Sequence, residues 1–417
     1  MSVLLLHPTG NANVRAAANG LAGANLLKEF HTSVASFPGG ILDGLGSISA
    51  FSEIRRRRFG TPLKQLTKTY PWREIGRIAS AKVGFSSLIK HESGVFSVDN
   101  VYRSLDRRVA LRLKQSKAKG INSIYAYEDG AAYSFREAKK HGVQCFYDLP
   151  TGYWRSAKRL LQTEREQRPE WSDTLSGFQD SDAKLSRKDE ELRMADIIIV
   201  ASKFTAETLR DYPGELAPVK IIPYGFPLVN PYRDYSNLSI NRPLKLLFVG
   251  KLTQQKGIAN LFAAVDALKD QVTLTLVGRK ASNDNSILNK ALAKHNWIPS
   301  LSHHEVLKLM LDHDVLVFPS LFDGFGLVIT EAMAQGTPVI ATERSAGPDL
   351  IQHGKNGWLV DSSSTGSLQK VIEELLECPE LVAKAGIEAM KTAKARPWEA
   401  YEKELVATVR ERLSAAG

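Results

Sequence analysis

PSLFDGFGLVITEAMAQGTPVIAT, residues 319–342, follows the short apolar run DVLVF and closes on a second, PVIA. An apolar run, a glycine-bearing turn, a helix-forming segment ending at Gly336 and another apolar run predict a strand, turn, helix and strand in succession. Gly324 and Gly326 let a ligand approach the backbone, and a helix starting near Gly326 presents free N–H groups and a positive dipole end, which suit phosphate. Glu331 falls five residues into that helix, roughly 7–8 Å along its axis at 1.5 Å per residue, comparable to the reach from a diphosphate to a ribose. Asp323 precedes the helix, where a sugar would hang from the phosphate.

The spacing Asp323-GFGLVIT-Glu331 closely resembles the E-x7-E signature of family 4 glycosyltransferases, retaining enzymes of the GT-B fold that use nucleotide sugars. The resemblance continues in LLFVGKLTQQKGI (246–258), similar to the family's VGR-x4-KG turn, in ADIIIVASKFTAETL (195–209), in LTLVG (274–278) and in IQHGKNGWLV (351–360). It is specific from about residue 195 onward and weaker before it. The fold it implies is α/β: two Rossmann-like doubly wound domains facing a cleft, with a C-terminal helix crossing back to the first. The domains are expected at 1–225 and 243–395, with a proline-interrupted linker at 226–242 and the crossover helix at 396–417. In that helix Trp398, Tyr401, Leu405, Val406, Val409 and Leu413 recur at helical spacing and are expected to face a core.

The resemblance assigns the site residue by residue. Lys251 and Lys256 would hold the donor diphosphate, Lys251 standing where the family usually has arginine. Lys256 would also stabilise the departing diphosphate, where negative charge grows as the anomeric carbon becomes oxocarbenium-like. The backbone of Gly324, Phe325, Gly326, Leu327 and Val328 would cradle phosphate, Glu331 the ribose and Asp323 the sugar. Asp323 replaces the usual glutamate and is shorter by one C–C bond, roughly 1.5 Å. From the first domain, Gly10 and Asn11 would face the donor phosphate, with His7 beside them. Many relatives carry histidine after the strand equivalent to SIYAY; Tyr127 occupies that position here, and of the two acids just beyond it, Glu128 and Asp129, either could bind a sugar hydroxyl or orient the acceptor, Glu128 being the one assigned to the site.

The expected activity is transfer of a sugar from a nucleoside diphosphate to a glycan, lipid-linked or small-molecule acceptor. No cofactor beyond the donor is expected, and no metal, since no D-x-D motif ends a predicted strand. A nucleotide-sugar epimerase of similar architecture, or a silent nucleotide-sugar-binding protein, are the alternatives; the departures at Lys251, Asp323 and Tyr127 motivate the last.

The 417 residues suffice for two full cores, and 43% hydrophobic and 24% charged residues are ordinary for a globular enzyme. Cys145 and Cys378 lack metal-ligand spacing and are read as unpaired thiols. Without a spanning apolar run the chain is expected in the cytoplasm. The net charge of +10 concentrates in residues 51–90, where Arg55, Arg56, Arg57 and Arg58 form a run near Phe51, Phe59, Tyr70 and Trp72. That stretch predicts contact with an anionic membrane surface on the inner face; no nucleic-acid-binding motif accompanies it.

A first helix is expected at 16–30 and a second strand at 31–38, a long helix at 97–120, and a helical insertion with a loop beside the cleft at 151–188.

Overall fold

The computed structural model describes residues 1–40, 43, 44, 57–175, 178–282 and 284–415. Phe51, Arg55 and Arg56 of the predicted basic stretch lie outside them.

Two parallel sheets form the protein. The first contains β1 (Val3–Leu6), β2 (Leu27–Thr32), β3 (Thr67–Thr69), β4 (Ser123–Tyr127), β5 (Gln144–Leu149), β6 (Ile197–Val200) and β7 (Val219–Ile221), in the order β3-β2-β1-β4-β5-β6-β7. The second contains β8 (Leu244–Val249), β9 (Val272–Val277), β10 (Asn296–Ile298), β11 (Val315–Phe318), β12 (Val339–Thr342) and β13 (Gly357–Val360), in the order β10-β9-β8-β11-β12-β13. Each sheet reverses direction at one place, between β1 and β4 in the first and between β8 and β11 in the second. Ligands of open α/β sheets bind outside the strand ends at such a switch point. The loops there hold Gly10, Glu128, Lys251 and the 319–326 turn, so this topology collects the candidates read from the sequence.

The central strands are buried along their whole length, which is why β6, β11 and β12 read as unbroken apolar runs. The edge strands β3 and β10 span three residues each and are partly exposed, so neither shows the apolar run by which the other strands are legible in the sequence. The first helix is also corrected: it runs Ala12–Gly23, and Asn25 adopts a left-handed backbone (φ 57°) that turns the chain into β2. Leu26, Leu27 and Phe30, expected on that helix, are core residues around β2. The strand expected at 31–38 keeps only His31 and Thr32 within β2. The long helix ends at Leu113, after starting at Val98 on a Ser97 cap that accepts the Asn100 N–H.

The terminal helix Trp398–Ala415 returns to the first domain. It lies against helix Ala12–Gly23 so closely that a Cβ on Gly20 would fall 2.9 Å from the Glu402 Cβ. Tyr401, Leu405, Val406, Val409 and Leu413 are buried there, as their spacing predicts.

Residues 151–188 form more than an insertion beside the cleft. Helix Trp154–Gln167 and the short 3-10 helix Pro169–Thr174 reach across to the second domain, where Trp171 joins the core of Leu246, Phe248 and Phe262. Thr253 donates its hydroxyl to the Thr174 carbonyl at 2.6 Å, and Arg168 donates to Asn260 Oδ1 at 2.7 Å. Buried Glu164 accepts a hydrogen bond from buried Gln254. Leu161, Leu175, Phe204, Leu321 and Phe322 close a small apolar cluster between the domains. The two domains are therefore joined by the linker, the terminal helix and this arm.

Candidate active site

β11 leads into the turn that carries Asp323, and the turn's shape is held from several directions. The Asp323 N–H donates to the Arg344 carbonyl at 3.0 Å, and the Ala346 N–H donates to the Phe325 carbonyl at 3.0 Å. Phe325 N–H donates to Asp323 Oδ1 at 3.2 Å. Gly326 has φ +84° and stands immediately before helix Leu327–Ala334, a conformation that favours glycine. The first N–H groups of that helix, Leu327 and Val328 among them, lack intrahelical acceptors by geometry and are the donors expected to meet an anion.

Lys256 reaches this turn because of its neighbour. Gly257 (φ +71°) packs so tightly under β11's exit that a Cβ there would lie 1.9 Å from the Pro319 carbonyl oxygen. This brings Lys256 Nζ into an ion pair with Asp323 Oδ2, and the ammonium also lies 5.3 Å from the Phe318 ring centroid. The two residues assigned from the sequence to leaving group and sugar thus form one unit.

The first domain closes on the same turn. The Ser202 and Thr205 hydroxyls donate to the Gly324 carbonyl at 2.6 and 2.8 Å. A Cβ on Gly324 would sit 2.1 Å from the Pro150 carbonyl oxygen, and one on Gly152 would sit 2.3 Å from the Phe322 ring. A cavity of about 280 Å³ opens beside the Lys256–Asp323 pair, walled by Thr151, Trp154, Phe178 and Lys188 on its other side. Glu128 stands behind this wall: it accepts the Thr151 hydroxyl at 2.6 Å and pairs with Lys188 at 3.1 Å.

Glu331 lies on helix Leu327–Ala334 in different surroundings. Its carboxyl is pushed up to about 7 by burial. His303 Nδ1 lies 3.7 Å from Glu331 Oε1, and the imidazole is held below its ordinary value by burial and then by the charge of Arg15. Arg15 belongs to the first domain and donates to the Gly10 carbonyl, so the Gly10–Asn11 loop belongs to this side of the cleft. Asn13 Nδ2 donates to the Tyr224 hydroxyl at 3.2 Å, and the Tyr224 ring lies 4.7 Å from that of Phe325. Lys251 is exposed at the exit of β8 and is not among the residues that wall the Asp323 cavity.

Tyr127, at the position where a histidine was expected, is buried with its ring 4.7 Å from that of His7. Burial, with a smaller effect from the charge of Arg57, holds the His7 imidazole down to about 4, so it is neutral at pH 7. Sequence reasoning missed Thr151, Gly152, Lys188, Arg15 and His303, none of which has a local signature. Ser202 and Thr205 lay within a quoted motif, ASKFTAETL, without an assigned role.

Residues 235–392, which span most of the second domain, match the model for glycosyl transferases group 1. The chain as a whole has the GT-B fold. Sucrose-phosphate synthase of Thermosynechococcus elongatus superposes with a TM-score of 0.67 at 20% identity over 100% of both chains. Anabaena HepE, solved in complex with UDP-glucose, superposes with a TM-score of 0.62 at 17% identity, covering 99% of this chain and 100% of that one. Among curated relatives, alpha-maltose-1-phosphate synthase of Mycolicibacterium smegmatis is 28% identical over 46% of this chain and 56% of its own length. D-inositol 3-phosphate glycosyltransferase of Arthrobacter is 27% identical over 51% of this chain and 56% of its own. Against glycogen synthase of Mycobacterium tuberculosis the match spans 35% of the relative, so the chain spans between about a third and just over half of these relatives.

Proposed function

We propose that this protein transfers a sugar from a nucleoside diphosphate sugar to a glycan, lipid-linked or small-molecule acceptor, with retention at the anomeric carbon and without a metal ion. The observation that carries the reading is the Lys256–Asp323 pair, set against a glycine turn that opens a helix, with a half-buried acid four residues beyond the helix start. Binding of the donor replaces an internal pair with a ligand. The diphosphate takes Lys256 and the first helix N–H groups, and Asp323 turns to a sugar hydroxyl. As the anomeric C–O bond breaks, both electrons go to the diphosphate, where the lysine and the amides meet growing charge. The acceptor hydroxyl forms the new C–O bond on the face the diphosphate leaves, which preserves the configuration, and its proton passes to the departing diphosphate oxygen. Glu128, bonded to two cavity-wall residues, orients the acceptor side.

That HepE was solved with UDP-glucose supports beginning with uridine donors. The test is a thermal-shift screen of UDP, GDP and ADP with and without sugars, followed by transfer of labelled sugar from the best donor in the presence of EDTA. A ligand at a hundred times its dissociation constant should stabilise by about 2.7 kcal/mol. Binding of a nucleotide without any transfer or hydrolysis would leave a binding protein. Activity abolished by EDTA and restored by a divalent ion would overturn the metal-free mechanism.

A further inference from the structure

Helix Trp72–Val83 in the first domain carries its apolar ridge outward. Positions 72, 75, 79 and 83 recur at helical spacing on one face, and all four are exposed: Trp72 is 82% exposed, Ile75 51% and Val83 67%, with Ala79 between them. The helix ends at left-handed Gly84, and Phe85 just beyond is 58% exposed. The side turned inward is polar. Glu74 is buried and ion-paired with Arg57 and Arg77, and Ser80 is buried as well. Phe96 packs against Gly76, where a Cβ would meet its ring at 2.5 Å, and Arg73 donates to the Val95 carbonyl at 2.6 Å, so exposed Val95 extends the apolar surface. A surface helix of a water-soluble domain ordinarily shows the reverse arrangement.

The stretch of chain that carries this ridge is strongly cationic. Described residues 57–90 contain eight Lys or Arg (57, 58, 64, 68, 73, 77, 82, 90) and one acid, Glu74, already engaged underneath. Lys64, Lys68 and Lys90 are exposed. The membrane contact expected from the four-arginine run is thereby relocated. Arg57 is buried against Glu74 and the Pro8 carbonyl, and Arg58 pairs with Asp43 at 3.1 Å. Among the described residues, the face suited to a bilayer is the helix.

We propose that this face docks the first domain on an anionic lipid bilayer, the helix lying in the interface plane with Trp72, Ile75, Val83 and Phe85 seated among headgroups and upper acyl chains, and the lysines on the surrounding lipid charge. A tryptophan at the interfacial depth, an apolar ridge and a cationic margin are what such a helix requires. A protein partner would need acidic residues complementary to the margin, whereas an anionic leaflet supplies that charge everywhere. Among the described residues no helix is long and apolar enough to cross a membrane, so the attachment is peripheral. It does not depend on which sugar is transferred.

The experiment is co-sedimentation of the full chain with phosphatidylglycerol-containing and pure phosphatidylcholine vesicles at low and high salt. Wild type is compared with a Trp72→Ser, Ile75→Ser, Val83→Ser, Phe85→Ser variant and, separately, with Lys64→Gln, Lys68→Gln, Lys90→Gln. All seven side chains are exposed, and matching thermal melts establish that each variant is folded. Wild type is expected to bind the anionic vesicles, with salt weakening it, and the apolar variant to lose at least about tenfold in partition. Each lysine removed should cost about fivefold. Equal partition into both vesicle types, no partition at all, or an unaltered apolar variant would overturn the proposal. So would a change only in self-association of the apolar variant by light scattering, which would make a second copy the occupant of this face.

Discussion

Asp323 and Glu331 stand on one turn and helix, eight residues apart, and the protein surrounds them in opposite ways. Asp323 is compensated before any ligand arrives: Lys256 pairs with it, and the Phe325 N–H donates to it. Its backbone is clamped by Arg344 in its own domain, and the neighbouring Gly324 by Ser202 and Thr205 in the other. Glu331 is half-buried beside an exposed histidine whose imidazole is held below its ordinary value, and its carboxyl is pushed up to about 7 by desolvation. The turn is thus a preorganised electrostatic unit. The helix acid is a desolvated acceptor, and ligand hydroxyls would restore the hydrogen bonds that burial removed.

The largest effect should come from separating the turn's two charges. Lys256→Ala leaves Asp323 facing the diphosphate with no cation between them, and turnover is expected to fall by about 10²–10³, the scale for removing one donor at a site of developing charge. Matching circular dichroism melts distinguish this from misfolding. If Lys256→Ala kept full turnover, the turn would carry no more of the chemistry than the helix does, and the contrast would fail.

The next effect tests whether the turn is held from across the cleft. An alanine methyl at Gly324 would meet backbone atoms, the Pro150 oxygen at 2.1 Å and the Thr151 Cα at 2.7 Å, which cannot move aside as a flexible side chain would. Gly324→Ala is expected to cost about 1–3 kcal/mol in urea denaturation and to increase the radius of gyration as the domains part. Gly366→Ala meets nothing within 4 Å and is the control. An unchanged Gly324→Ala variant would mean that the domains close elsewhere.

The second domain was largely legible from sequence because β8, β9, β11, β12 and β13 are short apolar runs with turn residues between them. β10 was not, since NWI is half exposed and three residues long. In the first domain the helix and β2 merged into one reading because Leu26, Leu27 and Phe30 continue an alanine-rich pattern. What separates them is the backbone angle at Asn25, which composition does not encode. The site divides in the same way. Asp323, Lys256 and Glu331 could be placed from local spacing, but the ion pair depends on how closely Gly257 lies to Pro319, some sixty residues away in sequence. Nor could a run of four arginines show that Arg57 turns inward, because its partner Glu74 lies on a separate helix. Trp171 looked like part of a polar insertion for the same reason: its packing partners begin at Leu244.

The smallest expected effect concerns pH and the helix acid alone. With the folded-state pKa of Glu331 near 7 and an unfolded value near the ordinary 4.5, the native protein holds a proton that the unfolded chain releases between those two values. Stability therefore falls as pH rises through this window and levels off above it. Glu331→Gln removes that dependence, so the variant should match wild type near pH 4.5 and exceed it at pH 8 by about 1–3 kcal/mol, at 1.36 kcal/mol per pKa unit. Nucleotide affinity should respond in the opposite sense. If Glu331 holds the ribose as proposed, its hydroxyls donate to the ionised carboxylate, so wild type should bind the free nucleotide more tightly at pH 8 than at pH 6, whereas Glu331→Gln should bind weakly at both. Calorimetry at the two pH values, beside urea melts of the same samples, separates the two readouts. A wild-type affinity independent of pH, with the variant unimpaired, would place the ribose away from Glu331 and leave the helix acid no part in binding.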